Sequence, residues 1–303
     1  MKKILLLGAN GQVGWELQRA LAPLGQLLVC DRHSADLNDL DGLSALIRRE
    51  KPETIVNAGA YTAVDKAESD IGVARRVNAE AVAVLANAAR ELDAWLVHYS
   101  TDYVFDGSGS TFFDEEALTG PLGVYGQTKL EGERAIRESG CQHLIFRTSW
   151  VYASRGANFA KTMLRLAKER DELRVIADQI GAPTSAELIA DVTALALHRL
   201  AYDADLRRRA SGTYHLVASG ETSWHRYAQF VISEAIALGN SELRATPERV
   251  LPIATHEYPL PAKRPANSRL ANSKLQETFD IVLPAWEYHV QRMIKEQFDQ
   301  RAV

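Results

Sequence analysis

The chain has 303 residues, 46% of them hydrophobic and 24% charged, with 35 basic against 39 acidic side chains and a formal net charge of -4. That is enough apolar material for a large core, and too even a charge balance for the footprint of a nucleic-acid or anionic-membrane binder, so a small molecule is the expected partner. No stretch approaches the roughly 20 apolar residues of a membrane span. The two cysteines, Cys30 and Cys141, lie in apolar surroundings and suit a reducing cytoplasm.

The apolar run after Lys2 and Lys3 is too short for a signal-peptide core and reads as a first strand, Ile4 to Leu7. Gly8, Gly11 and Gly14 follow it and open a helical pattern from Val13 to Leu21. Glycines between a strand and a helix permit a tight turn and close backbone approach, and the helix N-terminus attracts a pyrophosphate. The G-x-x-G-x-x-G spacing resembles the short-chain dehydrogenase/reductase superfamily. A second strand, Leu27 to Cys30, ends at Asp31, where a carboxylate would bond the adenosine ribose of NAD; Arg32 beside it would neutralise the extra phosphate of NADP, so both cofactors stay open.

Further apolar runs at Thr54 to Asn57, Trp95 to Tyr99 and Leu144 to Arg147 alternate with helical spacing at Leu43 to Arg49, Val73 to Leu92 and Lys129 to Glu138. Continuous rather than alternating apolarity indicates strands buried on both faces. The pattern predicts an α/β fold, a Rossmann-type doubly wound parallel sheet with a smaller α/β substrate domain. Residues 1–150 form the expected dinucleotide-binding domain and 151–303 mainly the substrate domain, with segments crossing back. The second half offers a helix at Phe159 to Glu169, a strand at Leu173 to Ile176 and a proline-rich stretch, 251 to 269, read as an ordered loop.

Tyr125 and Lys129 are four residues apart, so on a helix they share a face. Ser100, Thr101 and Asp102 end the fourth strand, at the sheet edge where such folds bind ligands. A hydroxyl, a phenol and an ammonium are what carbonyl reduction requires. Tyr125 would supply a proton to oxygen, Lys129 would lower the phenol's pKa from about 10 and hold the nicotinamide ribose, and Thr101 would hydrogen-bond the carbonyl.

A longer series of motifs, GANGQVGWEL (8 to 17), TAVDKAE (62 to 68), STDYVFDG (100 to 107), VYGQTKLEGE (124 to 133), FRTSWVY (146 to 152), NFAKTMLRLA (158 to 167), DQIGAPTSAEL (178 to 188) and RPANSRL (264 to 270), resembles the dTDP-4-dehydrorhamnose reductases through nearly the whole chain. The resemblance implies reduction of the 4-keto group of dTDP-4-dehydro-β-L-rhamnose by NADPH or NADH, in making rhamnose for bacterial surface polysaccharides such as lipopolysaccharide O-antigen. It implies catalysis by Thr101, Tyr125 and Lys129, and substrate contacts at Thr101, Asp102 and Trp150, the last otherwise a core residue. Cofactor contacts are implied at Gly8, Gly11, Gln12, Val13, Gly14, Asp31, Arg32, Asp36, Leu37, Ala60, Tyr61, Thr62, Tyr125 and Lys129.

The related 4,6-dehydratases usually carry an acidic pair after the threonine; Tyr103 stands at the second position here. The resemblance also implies a homodimer with magnesium held at its interface by Glu16, Glu187 and Glu296. Glu16 would equally suit a helix dipole, and Thr184 to Glu187 a capping box. Lys263, Arg264 and Arg269 could clamp a diphosphate or form a solvated surface. Two other readings stay open: a reductase of a different nucleotide 4-ketosugar, and a non-catalytic regulatory subunit, since a partner of methionine adenosyltransferase resembles the same family.

Overall fold

Residues alternate between the two faces of a strand, and here both faces are apolar, which is why the strands read as unbroken runs. A computed structural model of the chain describes residues 2–299. The main sheet contains β1 (Lys3–Leu7), β2 (Gln26–Cys30), β3 (Thr54–Asn57), β4 (Trp95–Thr101), β5 (His143–Thr148) and β10 (Gly212–His215). Its order is β10-β5-β4-β3-β1-β2, and every pairing is parallel.

Within β1 the period of two divides the core. Ile4 and Leu6 face a cluster with Leu17 and Leu21 of α1 (Gln12–Leu21) and Ile189 and Val192 of α8 (Ala186–Tyr202). Leu5 and Leu7 face the other way, toward Ile47 of α2 (Leu40–Glu50), Val82 and Leu85 of α5 (Ala81–Glu91) and Ile136 of α6 (Val124–Ser139). The sheet is therefore covered on both sides, as predicted.

Helix ends follow local chemistry. Asp39 caps α2 by accepting from Gly42 N, and α6 stops at Gly140, which adopts the left-handed φ of +70°. The single helix expected from Val73 to Leu92 is interrupted. Beyond α3 (Val64–Ala67), α4 (Ile71–Arg75) runs into a π-helical turn, Arg76–Glu80, before α5 begins. The turn carries Asn78, which accepts from Tyr61 N, donates to Tyr61 O and lies 3.2 Å from the Thr128 hydroxyl of α6. A polar residue is thereby satisfied inside an otherwise apolar helix face.

The second half adds three small pairings: β6 (Val151–Tyr152) with β9 (Thr184–Ser185), β7 (Leu173–Ile176) with β12 (Val250–Ile253), and β8 (Ile180–Gly181) with β11 (Thr222–Ser223). Met163 and Ala167 of α7 (Phe159–Glu169) pack with Leu173, Val175 and Val250 and with Ala228 and Ile232 of α10 (Trp224–Ala237). The remaining helices are α9 (Ala204–Arg209), α11 (Ser273–Phe279) and α12 (Trp286–Asp299). Strand β10 and helix α8 return from this half to complete the main sheet layer. The stretch 251–269 is ordered, pinned by Asn267 N donating to Gly107 O and by Ser268 N donating to Ile180 O. The capping box read at Thr184 is displaced by one residue: Ser185 caps α8 through Leu188 N, and Thr184 donates instead to Ala182 O. Among the described residues no helix is long and apolar enough to cross a membrane.

Candidate active site

At the carboxyl ends of β1 to β5 lies a cavity of about 960 Å³, running from Arg32 and Asp36 past the glycine loop to Thr101, Tyr125 and Trp150. Close packing explains the glycines. Gly8 has φ +76°, and a Cβ there would sit 2.4 Å from Gly59 N; a Cβ at Gly14 would sit 2.1 Å from Gly8 O. Gly14 thus lets α1 lie against the loop and does not line the cavity, unlike Gly8, Gly11, Gln12 and Val13. No side chain caps α1, leaving its first N–H groups for an anion. Gln12 Oε1 and Thr148 Oγ1, both on cavity-lining residues, are buried without a partner. A dinucleotide fits these features: an uncapped helix start, a cradle that side chains would fill, and polar atoms left for a ligand.

At the end of the cavity beside β2 the carboxylate of Asp31 is committed to its own loop. It accepts from His33 N, Ser34 N and Ser34 Oγ through one oxygen and from Asn10 Nδ2 through the other. The bonds from Ser34 hold its carboxyl below the usual range, and the residue does not line the cavity. Arg32 does, with its side chain 80% exposed and only a loose 3.7 Å approach to Asp36. Asp36, Leu37, Ala60, Tyr61 and Thr62 all line the cavity.

At the other end Thr101, Asp102, Tyr125 and Lys129 meet. Thr101 Oγ1 donates to Asp102 Oδ1 over 3.0 Å and accepts from Tyr103 N; Ser268 Oγ donates to Asp102 Oδ2 over 2.5 Å. Burial pushes Asp102 up to about 6 despite these hydrogen bonds. Burial also raises the Tyr125 phenol, and the Asp102 charge adds to the rise, against a hydrogen bond with Thr101 that lowers it. The ring of Tyr103 packs edge-on against Tyr125, centroids 5.5 Å apart.

Lys129 is fully enclosed, and here the sequence expectation needs correcting. Its Nζ donates to Tyr99 O over 2.7 Å and lies 3.0 Å from His98 Nε2, so the head turns to β4 rather than holding the phenol's pKa down. Burial lowers Lys129 to about 8, with the Glu133 charge working in the opposite direction.

Trp150 has φ +49° and stacks on Trp224 at a centroid distance of 3.6 Å, both rings lining the cavity. Trp150 is therefore a wall residue rather than part of the core. Trp224, Asn57 and His33 also line the cavity without any motif in the sequence to announce them.

Glu16 on α1, Glu187 in the first turn of α8 and Glu296 on α12 are each served by an arginine. Arg19 lies 3.6 Å from Glu16, and Arg292 lies 3.1 Å from Glu187 and 3.4 Å from Glu296. Among the described residues no group of three or more His, Cys, Asp or Glu side chains could hold a metal ion. Nor is a diphosphate clamp formed: Arg264 pairs with Asp65 at 2.7 Å, Arg269 pairs with Glu221, and neither they nor Lys263 line the cavity.

A parallel sheet of this order, with a glycine loop after β1 and a tyrosine and lysine on one helix face opposite a strand-end threonine, defines a dinucleotide-dependent oxidoreductase of the short-chain dehydrogenase type. A family model described as the RmlD substrate binding domain matches residues 1–298. The dTDP-4-dehydrorhamnose reductase of Shigella flexneri is 53% identical, covering 99% of both chains. Among solved structures, that of a dTDP-4-dehydrorhamnose reductase from Clostridium acetobutylicum superposes with a TM-score of 0.87 at 34% identity, covering 97% of this chain and 99% of the other. The Bacillus anthracis dTDP-4-dehydrorhamnose reductase in complex with NADP gives 0.86 at 33% identity, covering 98% and 100%. The chain belongs to the dTDP-4-dehydrorhamnose reductase family.

Proposed function

We propose that the chain reduces the 4-keto group of dTDP-4-dehydro-β-L-rhamnose to dTDP-β-L-rhamnose with NADPH or NADH, and that Thr101, Tyr125 and Lys129 carry the step. The observation that supports these roles most is the convergence of the three side chains on one cavity that also contains the glycine loop. The dinucleotide, when bound along that loop, supplies the hydride. Tyr125 offers its hydroxyl to the carbonyl oxygen and gives up the proton as that oxygen becomes an alkoxide, while Thr101, whose proton goes to Asp102 in the free site, would turn it to the same oxygen when substrate binds. The raised phenol pKa keeps this acid loaded at neutral pH. Trp150 and Trp224 shield the reacting end from water. Asp102 orients the Thr101 hydroxyl and contacts the sugar, and Tyr103 takes the place where a dehydratase would carry a second carboxylate.

With Asp31 committed to its own loop, Arg32 is the cation available to an adenosine phosphate, which favours NADPH. Residues 1–150 bind the dinucleotide and the remainder mainly the nucleotide sugar. On resemblance alone, the reading extends to a cytoplasmic homodimer that feeds surface polysaccharides such as O-antigen. The same resemblance suggests magnesium between Glu16, Glu187 and Glu296 of two chains; among the described residues of one chain these carboxylates form no metal-holding group, and Arg292 would have to yield its two contacts.

The test follows absorbance of the reduced nicotinamide with purified protein and dTDP-4-dehydro-L-rhamnose generated in situ. Multiple turnovers yielding dTDP-L-rhamnose are expected. Tight dinucleotide binding without turnover would overturn the assignment in favour of another ketosugar or a regulatory role.

A further inference from the structure

His98 is buried on β4 and has no part in the scheme above, yet its two ring nitrogens are both engaged: Nε2 lies 3.0 Å from Lys129 Nζ, and Nδ1 lies 3.2 Å from Asn57 Nδ2. The far end of this chain fixes the near end. Gly59 N–H can only donate, and it donates to Asn57 Oδ1 over 3.1 Å. The Asn57 amide nitrogen must then face His98 Nδ1 with a hydrogen, so Nδ1 accepts. A neutral imidazole that accepts at Nδ1 carries its proton on Nε2, and this proton points at Lys129. An ammonium has no lone pair to receive it. An amine does: it accepts from His98, donates one hydrogen to Tyr99 O, and keeps one for the cavity. Any other assignment leaves two donors facing each other in a buried site, either at Lys129, at Asn57 or at Gly59.

We propose that His98 is a positioning residue which, locked by Asn57 in its Nε2–H form, holds Lys129 as a neutral amine in the enzyme free of dinucleotide. Lys129 then acts as a proton carrier poised near working pH rather than as a fixed charge. Burial holds His98 neutral, far below its ordinary range, and lowers Lys129 to about 8; a His98 N–H aimed at Nζ pushes the lysine further in the same direction. The other titratable groups around this helix face are spoken for: Glu133 by Arg147 and Arg137, Asp102 by Ser268 and Thr101, and Tyr125 by Thr101.

The inference deepens the catalytic reading of Lys129 and rests on it for the rate effect, but the tautomer is measurable without catalysis. The full-length protein, labelled with ¹⁵N-histidine and free of dinucleotide, is compared with His98→Gln to assign the His98 signals. Protonated Nε2 and bare Nδ1 are expected from neutral pH upward; protonated Nδ1 there overturns the proposal. Asn57→Asp replaces the donor by a second acceptor while keeping the bond from Gly59. It should move the proton to Nδ1, let Nε2 accept from an ammonium, and shift the alkaline limb of the kcat/KM profile up by about one pH unit or more. An unmoved tautomer in that variant also overturns the proposal, and should the variant not fold, the parent tautomer decides. A correct tautomer in a protein without turnover would instead refute the reductase reading alone.

Discussion

Replacing Gly8 by alanine should damage both stability and cofactor binding, by an amount the geometry sets. The residue sits at φ +76°, and its new methyl would lie 2.4 Å from Gly59 N and 2.6 Å from Gly59 Cα, backbone atoms that cannot swing aside. A left-handed alanine costs about 1–2 kcal/mol and overpacking against backbone about 1–3 more, so the loss is roughly 2–5 kcal/mol. At about 2–4 °C per kcal/mol for a large domain, the melting temperature should fall by roughly 4–20 °C. Thermal melts followed by circular dichroism, with and without NADP, measure both effects. In the parent, ligand at about a hundred times Kd adds about 2.7 kcal/mol, and the variant should lose most of this increment because its loop no longer closes on Gly59. Gly72→Ala is the control: nothing lies within 4 Å of the added methyl on α4, and the helix gains up to about 1 kcal/mol. A Gly8→Ala protein that melts with the parent and keeps the full ligand shift would refute the packing argument.

Tyr125→Phe should fold and bind dinucleotide while losing at least about 10²-fold in kcat, since the ring remains and only the acid goes; steady-state rates near the parent would remove the phenol from the mechanism. Arg32→Ala should weaken NADPH by about 10- to 100-fold and leave NADH unchanged, and equal losses for both cofactors in titrations would count against the phosphate contact. Acid should destabilise the protein. His215 is pushed down to about 3 by burial and by the Arg147 charge, so the unfolded chain takes up its proton first and stability falls as pH drops from about 6.5 toward 3. Glu133 works the same way lower down: burial opposes its ionisation, but Arg147 prevails, and its contribution, present above 4.5, is lost as pH falls through its depressed folded value. Asp102 opposes, because its folded value of about 6 makes the native state bind more protons between 3.8 and 6. Melts between pH 7 and 4 should still decline, with a shallower slope for His215→Asn; a melting temperature that rises on acidification would contradict the assignment.

The first five strands were legible because burial on both faces writes an unbroken apolar run, and the glycine loop because close packing tolerates no substitute at Gly8 and Gly14. Strand β10 was not: Gly212 to His215 is short, sits at the sheet edge and carries a glycine and a histidine. The π-turn at Arg76 to Glu80 also escaped, since one inserted residue hardly disturbs a helical spacing averaged over twenty positions. The Tyr125 and Lys129 spacing placed both on one face of α6, but spacing says nothing about where a four-carbon side chain ends. The Lys129 head goes to Tyr99 O and His98, partners on another element. Asp31 shows the same limit: its position after β2 was readable, and the competition from Asn10, His33 and Ser34 for its oxygens was not. Trp224 entered the cavity unannounced because its partner, Trp150, lies far away in sequence.

The origin of β10 in the second half has a consequence for how the protein is made. Strand β5 ends at Thr148, and the strand that covers its open edge begins only at Gly212. On a ribosome adding about 5–20 residues per second, that edge waits several seconds for its neighbour, with buried-type side chains and unpaired backbone groups exposed. A fragment stopped near residue 150 would keep the dinucleotide cradle and lack its last strand. Such a fragment should pair with its own kind or with chaperones rather than persist as a working half, so the second half of the chain and the glycine-loop cavity are obliged to mature together.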